Sequence, residues 1–507
     1  MISLSNNCYI RVGHDNFNKI CQFLFLFFFW ATPNGYCQNQ NSVPSITLNL
    51  VQEQSAVINK NKYGFNQSSP AMMNVTYDQL SLNPDIVNLN IRLFRFPGGT
   101  VANFYQWNAD SYNVTDLQEY PKVYSDYREK LFRAYGANGR KVGYENFLMW
   151  TKRDSITPLF VINMNTLKEF EDILKAFNTA KELGVKVEFC ELGNELYFLE
   201  QAGEKYENID KYVLAASDAA QRLKKFSQDI KIGVPVSGKP EWQRGKEWDQ
   251  AIKNSYLHYD AIVLHQYLNV DDIPGSYVGS EAFSFVREGF PEQVRYYAQM
   301  FPDKKIWLSE WNIENRPLNN INQTFYGTLF AADFFLRLLE EQVVDLACYH
   351  RLMPHTHSIL NAEYSESEVY FQKTLPYFFW KMVGEALLNA TNLSNVKILD
   401  IVGTYDIRDF KALSLYSANS FYLFLLNTSD KSIEIHHDLE GYSDLKITHI
   451  AAKNLSDTVG NSTMDTTIIN SQNETLKIQP LSINLLEWKK KINDVYSPTD
   501  FKLYSTE

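Results

Sequence analysis

Two glutamates in this chain of 507 residues stand where side chains can do chemistry. Glu195 closes the run Glu191-Leu192-Gly193-Asn194-Glu195, and Glu310 lies in Ser309-Glu310-Trp311-Asn312. Each follows a short apolar run, at the place where a strand gives way to a loop. Two carboxyl groups about 5–5.5 Å apart can cleave a glycosidic bond with retention. One attacks the anomeric carbon; the other protonates the leaving oxygen and later deprotonates water. The acid has to stay protonated near neutral pH, which a second carboxylate and partial burial can arrange.

Other apolar runs end in the same way. One ends Arg95-Phe96-Pro97-Gly98-Gly99-Thr100, another Asn163-Met164-Asn165, a third His265-Gln266-Tyr267, and a fourth Tyr349-His350-Arg351. The elements that must carry these residues follow from the pattern between about residues 62 and 388. Short apolar runs alternate there with amphipathic stretches, as in βα units around a parallel sheet. Eight strands are expected, at 62–65, 91–96, 157–163, 186–192, 231–236, 261–266, 305–309 and 346–351. Segments 167–183, 213–226 and 325–339 show a helical period between them. Eight such units over this length fit a (β/α)8 TIM barrel, whose site lies at the C-terminal ends of the strands. A doubly wound sheet would want a Gly-rich phosphate turn after an early strand, and the sequence has none. Strands four and seven face each other across the mouth, which brings Glu195 towards Glu310. Glu191, four residues earlier, is expected deep in the barrel or facing the helices.

Beyond residue 388 the texture changes to short alternating strands separated by turn residues. They are expected at 412–417, 420–426, 432–436, 446–451 and 474–478, closed by 480–488. This reads as a C-terminal all-β sandwich domain. A strand-like run at 45–51 is expected to join it. The expected division is a leader at 1–37, joining strands at 43–60, the barrel at 61–388, the sandwich at 389–491 and a tail at 492–507.

The motifs, taken together, resemble those of clan A retaining glycoside hydrolases. Leu192-Gly193-Asn194-Glu195 is similar to their Asn-Glu acid/base motif, and Leu308-Ser309-Glu310-Trp311-Asn312 to their nucleophile motif. Arg92 to Thr100, followed by Asn103-Phe104-Tyr105-Gln106-Trp107, resembles the second-strand segment of the arabinofuranosidase, heparanase/β-glucuronidase and β-xylosidase families. The resemblance implies a glycosidase acting on a poly- or oligosaccharide. Glu195 would be acid/base and Glu310 nucleophile. Asn194 would bind the substrate 2-hydroxyl, Arg95 would hold Glu310 ionised, Tyr267 would donate to Glu310, and His265 would line the same wall. Trp311 and Asn165, at strand ends, join the expected substrate-binding set. The sequence departs from those families at Leu196, where several relatives carry proline, and at His350-Arg351, where an aromatic platform is usual.

His350, Arg351, His355 and His357 cluster after the eighth strand, and Arg316 follows the nucleophile loop. Cations there could hold a uronate or sulfate; a solvated loop with chance histidines fits equally well. No metal is expected, because His355 and His357 have no carboxylate or cysteine set at ligand spacing. No cofactor is expected either. Two other functions keep the same cleft: a non-catalytic carbohydrate-binding barrel, and a transglycosylase using the same residues.

The bulk composition sets outer bounds. The chain is long enough for about two to three domains. Its formal charge of -11 argues against a nucleic-acid partner. Oligomeric state is not readable. Lys19 followed by the apolar run 20–30 and by Gly35-Tyr36-Cys37 has the form of an export signal, too short for a stable membrane span. Cleavage after Cys37 would remove Cys8, Cys21 and Cys37, leaving Cys190 and Cys348 as small buried residues in strands.

Overall fold

The computed structural model describes residues 43–50, 55–67, 75–112, 141–269, 283–314, 321–353, 357–364, 369–437, 442–469 and 475–490. The leader with its three cysteines, the tail, Arg316 and His355 lie outside the described residues.

Eight parallel strands close into a barrel. They are β1 (Gly64–Asn66), β2 (Leu93–Phe96), β3 (Thr157–Ile162), β4 (Phe189–Leu192), β5 (Lys231–Pro235), β6 (Ala261–Asn269), β7 (Lys305–Glu314) and β8 (Val344–His350). Neighbours follow chain order, and β8 returns to pair with β1. The strands are apolar runs because both faces of the wall are covered. Pro158 to Ile162 of β3, for example, are all buried. Leu93, Leu159, Phe189, Val263, Trp307, Leu346 and Cys348 form a cluster of their own inside the barrel. Trp307 meets Phe189 edge-on there, with ring centroids 5.5 Å apart. Cys348 and Cys190 are buried free thiols.

Amphipathic helices pack outside. In Glu171–Glu182 the buried residues are Ile173, Ala176, Phe177 and Ala180, one face at helical spacing. Helix Phe325–Glu340 is buried nearly all round, because it packs against helix Leu375–Asn389 and against sandwich strands as well as the barrel.

β6 and β7 run well past the ends of their apolar stretches. Their paired register places His265 opposite Glu310, Gln266 opposite Trp311, and Tyr267 opposite Asn312. Glu310 therefore lies inside a strand rather than just beyond one. The cause is backbone pairing at the barrel mouth, which continues where the side chains turn polar. Because strand side chains alternate, His265, Tyr267, Glu310 and Asn312 take one face, and Gln266 and Trp311 the other.

The sandwich has a seven-stranded antiparallel sheet ordered Ser55–Val57, Asn392–Asn395, Phe410–Tyr416, Ser420–Asn427, Ser482–Lys490, Tyr442–Ala451, Thr463–Ile469. A four-stranded sheet, ordered Lys397–Val402, Ser45–Asn49, Ile433–His437, Thr475–Ile478, lies with it. Ile46, Leu48, Phe421, Leu423, Leu425, Ile435 and Leu486 form the core between them. Three of these strands are not apparent from the apolar pattern. Lys397–Val402 is an edge strand with mostly exposed residues, Thr463–Ile469 is likewise an exposed edge strand, rich in Thr, and Asn392–Asn395 is short and polar. Arg287, from the barrel side, bonds Asp333 of helix Phe325–Glu340 at 3.0 Å, and Asp409 and Thr428 of the sandwich at 3.2 and 2.9 Å.

Candidate active site

The site grows from Arg95 on β2, whose side chain is wholly buried. A buried guanidinium needs anionic or polar partners, and each of the three Arg95 nitrogens has one. Nε and Nη2 donate to Glu191 Oε2 at 3.0 and 2.6 Å. Nη1 donates to Glu310 Oε1 at 2.5 Å, and Nη2 also reaches Asn194 Oδ1 at 3.0 Å. Glu191 is thus inside the barrel, facing its axis, with its second oxygen lacking a hydrogen-bond partner among the described residues.

β4 leads into a turn in which Gly193 has φ 93° and Glu195 φ 49°. The left-handed conformation suits glycine but costs a side-chain-bearing residue about 1–2 kcal/mol. The turn is closed by the Phe198 N–H on Glu195 O at 3.0 Å. Asn103 braces it as well, giving its amide to Asn194 O at 3.0 Å and accepting from Asn194 N at 3.2 Å.

The two glutamates meet across the mouth. One oxygen of each and a His265 ring nitrogen lie within 4.8 Å of one another. Their surroundings differ. Glu310 has one oxygen on Arg95 and the other accepting from Tyr267 Oη at 2.7 Å. Glu195 has Oε1 beside His265 Nδ1 at 2.9 Å and Tyr197 Oη at 3.4 Å, and Oε2 accepts from Gln201 Nε2 at 2.6 Å. Glu195 is the more open, with 17% of its side chain exposed against 8% for Glu310.

Burial alone would push the Glu310 carboxyl upward. The charges of His265 and Arg95, with the Tyr267 hydrogen bond, outweigh it and hold the group well below the usual carboxylate range. Burial pulls His265 down, but Glu310 and Glu195 together raise it above its ordinary value. His350 is different. Burial dominates and holds it well below its ordinary value. Tyr267 is pushed well up by burial and by Glu310, so it stays a donor.

Gly99 packs directly on Glu310: a Cβ there would stand 2.4 Å from its Oε1. On spacing alone, Glu195, His265 and Glu310 could hold a cation. Arg95 already occupies Glu310 Oε1 with a fixed positive charge, and His265 Nδ1 engages Glu195.

The expected residues fall into three groups. Arg95, Asn194, Glu195, His265, Tyr267 and Glu310 come together. Asn165 and His350 stand behind them. Asn165 is half-buried and donates to Gln201 O at 2.8 Å, bracing the short helix Leu199–Ala202. His350 bonds Asn66 at 2.9 Å, its ring 6.0 Å from that of Tyr267; held neutral, it is not the anion-binding cation it could have been. Arg351 is half-buried next to it, with its backbone N–H on His357 O at 3.2 Å. Trp311 is a correction. It is 1% exposed and stacked on Phe334 at 4.4 Å, with Tyr349 and Trp380 around it. Alternation along β7 sends it outward to the helices when Glu310 points inward, so it cannot line the cleft.

Gln201, Asn103, Tyr197, Ser309 and Gly99 were not picked out as site residues from the sequence. Asn103 and Gly99 lie in a quoted motif, but nothing in the residue types marks Gln201, which reaches Glu195 only because a four-residue helix folds back over the turn.

No family model matches this chain. An intracellular exo-α-(1→5)-L-arabinofuranosidase of Acetivibrio thermocellus is 22% identical over 252 residues, 45% of this chain and 47% of that protein. The chain thus matches about half the length of this curated relative. Solved structures share the fold over most of the chain. An α-L-arabinofuranosidase of Thermotoga maritima, in complex with arabinose, superposes with a TM-score of 0.64 at 14% identity, covering 88% of this chain and 100% of that one. A family 51 α-L-arabinofuranosidase of Bifidobacterium longum gives 0.65 at 15% identity, covering 88% and 99%. A glycoside hydrolase family 44 xyloglucanase of Paenibacillus polymyxa gives 0.58 at 12% identity, covering 88% and 99%.

Proposed function

We propose that this chain is a retaining O-glycoside hydrolase acting on a poly- or oligosaccharide, with Glu310 as nucleophile and Glu195 as acid/base. The observation that carries the reading is the carboxyl pair, with oxygens within 4.8 Å across the mouth and contrasting surroundings. That spacing is well short of the roughly 6.5–9.5 Å of inverting pairs, which must fit a water beside the sugar, and it suits direct attack. Glu310, kept ionised by Arg95 and Tyr267, attacks the anomeric carbon and forms a glycosyl ester. Glu195 gives a proton to the leaving oxygen, then takes one from the water that cleaves the ester. Asn194 has one amide hydrogen left over from Gln201 for the sugar 2-hydroxyl.

The relatives named as arabinofuranosidases make aryl α-L-arabinofuranosides the first substrates to try, with xyloglucan and neutral glucans next. A 2-deoxy-2-fluoro glycoside of an accepted sugar is expected to label Glu310, and proton NMR to show the product released with unchanged anomeric configuration. An inverted product, or labelling elsewhere, would overturn the assignment. Export through the segment ending at Cys37 is part of the same proposal; amino-terminal sequencing of the mature protein tests it. Among the described residues no helix is long and apolar enough to cross a membrane.

A further inference from the structure

We propose that Gln201 is a positioning residue that confines the mobile proton of Glu195 to Oε1. The inference rests on the acid/base role given to Glu195 above. It follows from which atoms can donate. Arg95 has donors only, and its orientation is set by Glu191, which accepts from both Nε and Nη2. The Asn194 atom facing Nη2 must therefore be oxygen, at 3.0 Å. That turns Asn194 Nδ2 towards Gln201, so the Gln201 atom it meets at 3.1 Å must be Oε1. Gln201 Nε2 is then left facing Glu195 Oε2, at 2.6 Å.

A second chain reaches the same answer. Asn103 Oδ1 accepts from the Asn194 backbone N–H, whose polarity is fixed. Its amide nitrogen therefore points the other way and donates to Gln201 Oε1 at 3.0 Å. Gln201 is buried, and its carbonyl accepts two donors while its amide serves Glu195 and Thr100 Oγ1. Flipping the amide would set two N–H groups against it and leave Oε2 facing an oxygen.

Oε2 is thus held as an acceptor whichever charge state Glu195 takes. The exchangeable proton is restricted to the other oxygen, where His265 Nδ1 and Tyr197 Oη stand. Ser309 Oγ, 3.2 Å from His265 Nε2, can accept or donate there, so it permits either tautomer of the ring. The network runs unbroken from Glu191 to Glu195 and links the nucleophile's cation to the acid's amide.

Two substitutions test this. Gln201→Leu removes the donor. The ionised form of Glu195 loses a hydrogen bond, so the alkaline limb of the kcat/KM profile should move to higher pH. The loss in kcat/KM should be about 10- to 100-fold for phenyl glycosides, which need the acid, and within about threefold for dinitrophenyl glycosides, which do not. Gln201→Glu keeps an acceptor for Asn103 and Asn194 but reverses the contact with Oε2. Its activity relative to the parent should rise as pH falls, when the introduced carboxyl regains a proton to donate. Equal losses with both leaving groups and an unmoved alkaline limb in either folded variant would mean that Gln201 only packs. Carbon-13 NMR titration of labelled glutamate, with Glu195→Gln to assign the resonance, reads the same shift without turnover. A parent inactive on every glycoside overturns the hydrolase reading, while an unshifted resonance in Gln201→Leu overturns this one.

Discussion

Tyr267 donates its hydroxyl to Glu310 Oε2 over 2.7 Å, from a strand on which His265, two residues earlier, pairs in register with Glu310 itself. With Arg95 on Oε1, the glutamate is gripped from both oxygens before any substrate arrives. Tyr267→Phe removes one grip and leaves the ring. A hydrogen bond to a charged group is worth about 1.5–3 kcal/mol, so kcat should fall about 10- to 100-fold on aryl glycosides. Steady-state kinetics with unchanged melting temperature would bear this out; an unchanged kcat would show the bond to be idle.

Gly99→Ala should cost more. The added Cβ would stand 2.4 Å from Glu310 Oε1, and the carboxylate has to move or the loop does. A displacement of about 1 Å at a reacting group can cost about 100-fold in rate. The expected outcome is a folded protein with kcat down by that order, checked by circular dichroism alongside kinetics.

Trp311→Ala should damage stability and spare the cleft. The ring is stacked on Phe334 behind the wall, and removing a buried Trp costs about 3–5 kcal/mol. Urea unfolding should show that loss, while KM on aryl glycosides stays within about twofold, since a loss behind the wall is felt in stability rather than binding. A large rise in KM with no change in stability would place the ring in the cleft after all.

His265 and Glu310 give the stability profile opposite slopes. His265 is raised in the folded state, so its contribution is full below about pH 6.5, the ordinary imidazole value, and is lost as pH rises through the folded value. Glu310 is held low, so its contribution is full above the ordinary carboxylate value of about 4.3 and is lost as pH falls below it. Melting temperature measured across pH should be flatter above neutrality in His265→Gln than in the parent. A parent profile indistinguishable from that variant above pH 6.5 would mean the imidazole gains nothing on folding.

The barrel was legible because its strands are apolar runs and its helices carry an apolar stripe; β3 and helix Glu171–Glu182 show both signals plainly. Glu195, Glu310, Arg95 and Tyr267 were legible as polar residues closing such runs. What escaped was whatever depends on how segments meet. Trp311, placed at a strand end, faces the helices rather than the cleft, because strand alternation opposes it to Glu310. Gln201 had no pattern to betray it, because its role depends on a turn at Gly193 and a four-residue helix bringing it back onto Glu195. Glu191 lies deep in the barrel, one of the two places its position on the strand allows, and its link to the site shows only once the Arg95 guanidinium is found beside it.

The strand Ser45–Asn49 lies between Lys397–Val402 and Ile433–His437, and Ser55–Val57 pairs with Asn392–Asn395. The whole barrel sequence lies between these partners. During synthesis the early strands leave the ribosome long before anything exists to pair with them, so they must wait as unpaired apolar segments. Closing so long a loop costs entropy that only the completed sandwich core returns. Sandwich assembly is therefore expected to be the late step of folding. The same arrangement ties both flanks of the barrel into one sheet system, so that neither flank can peel away without opening the other.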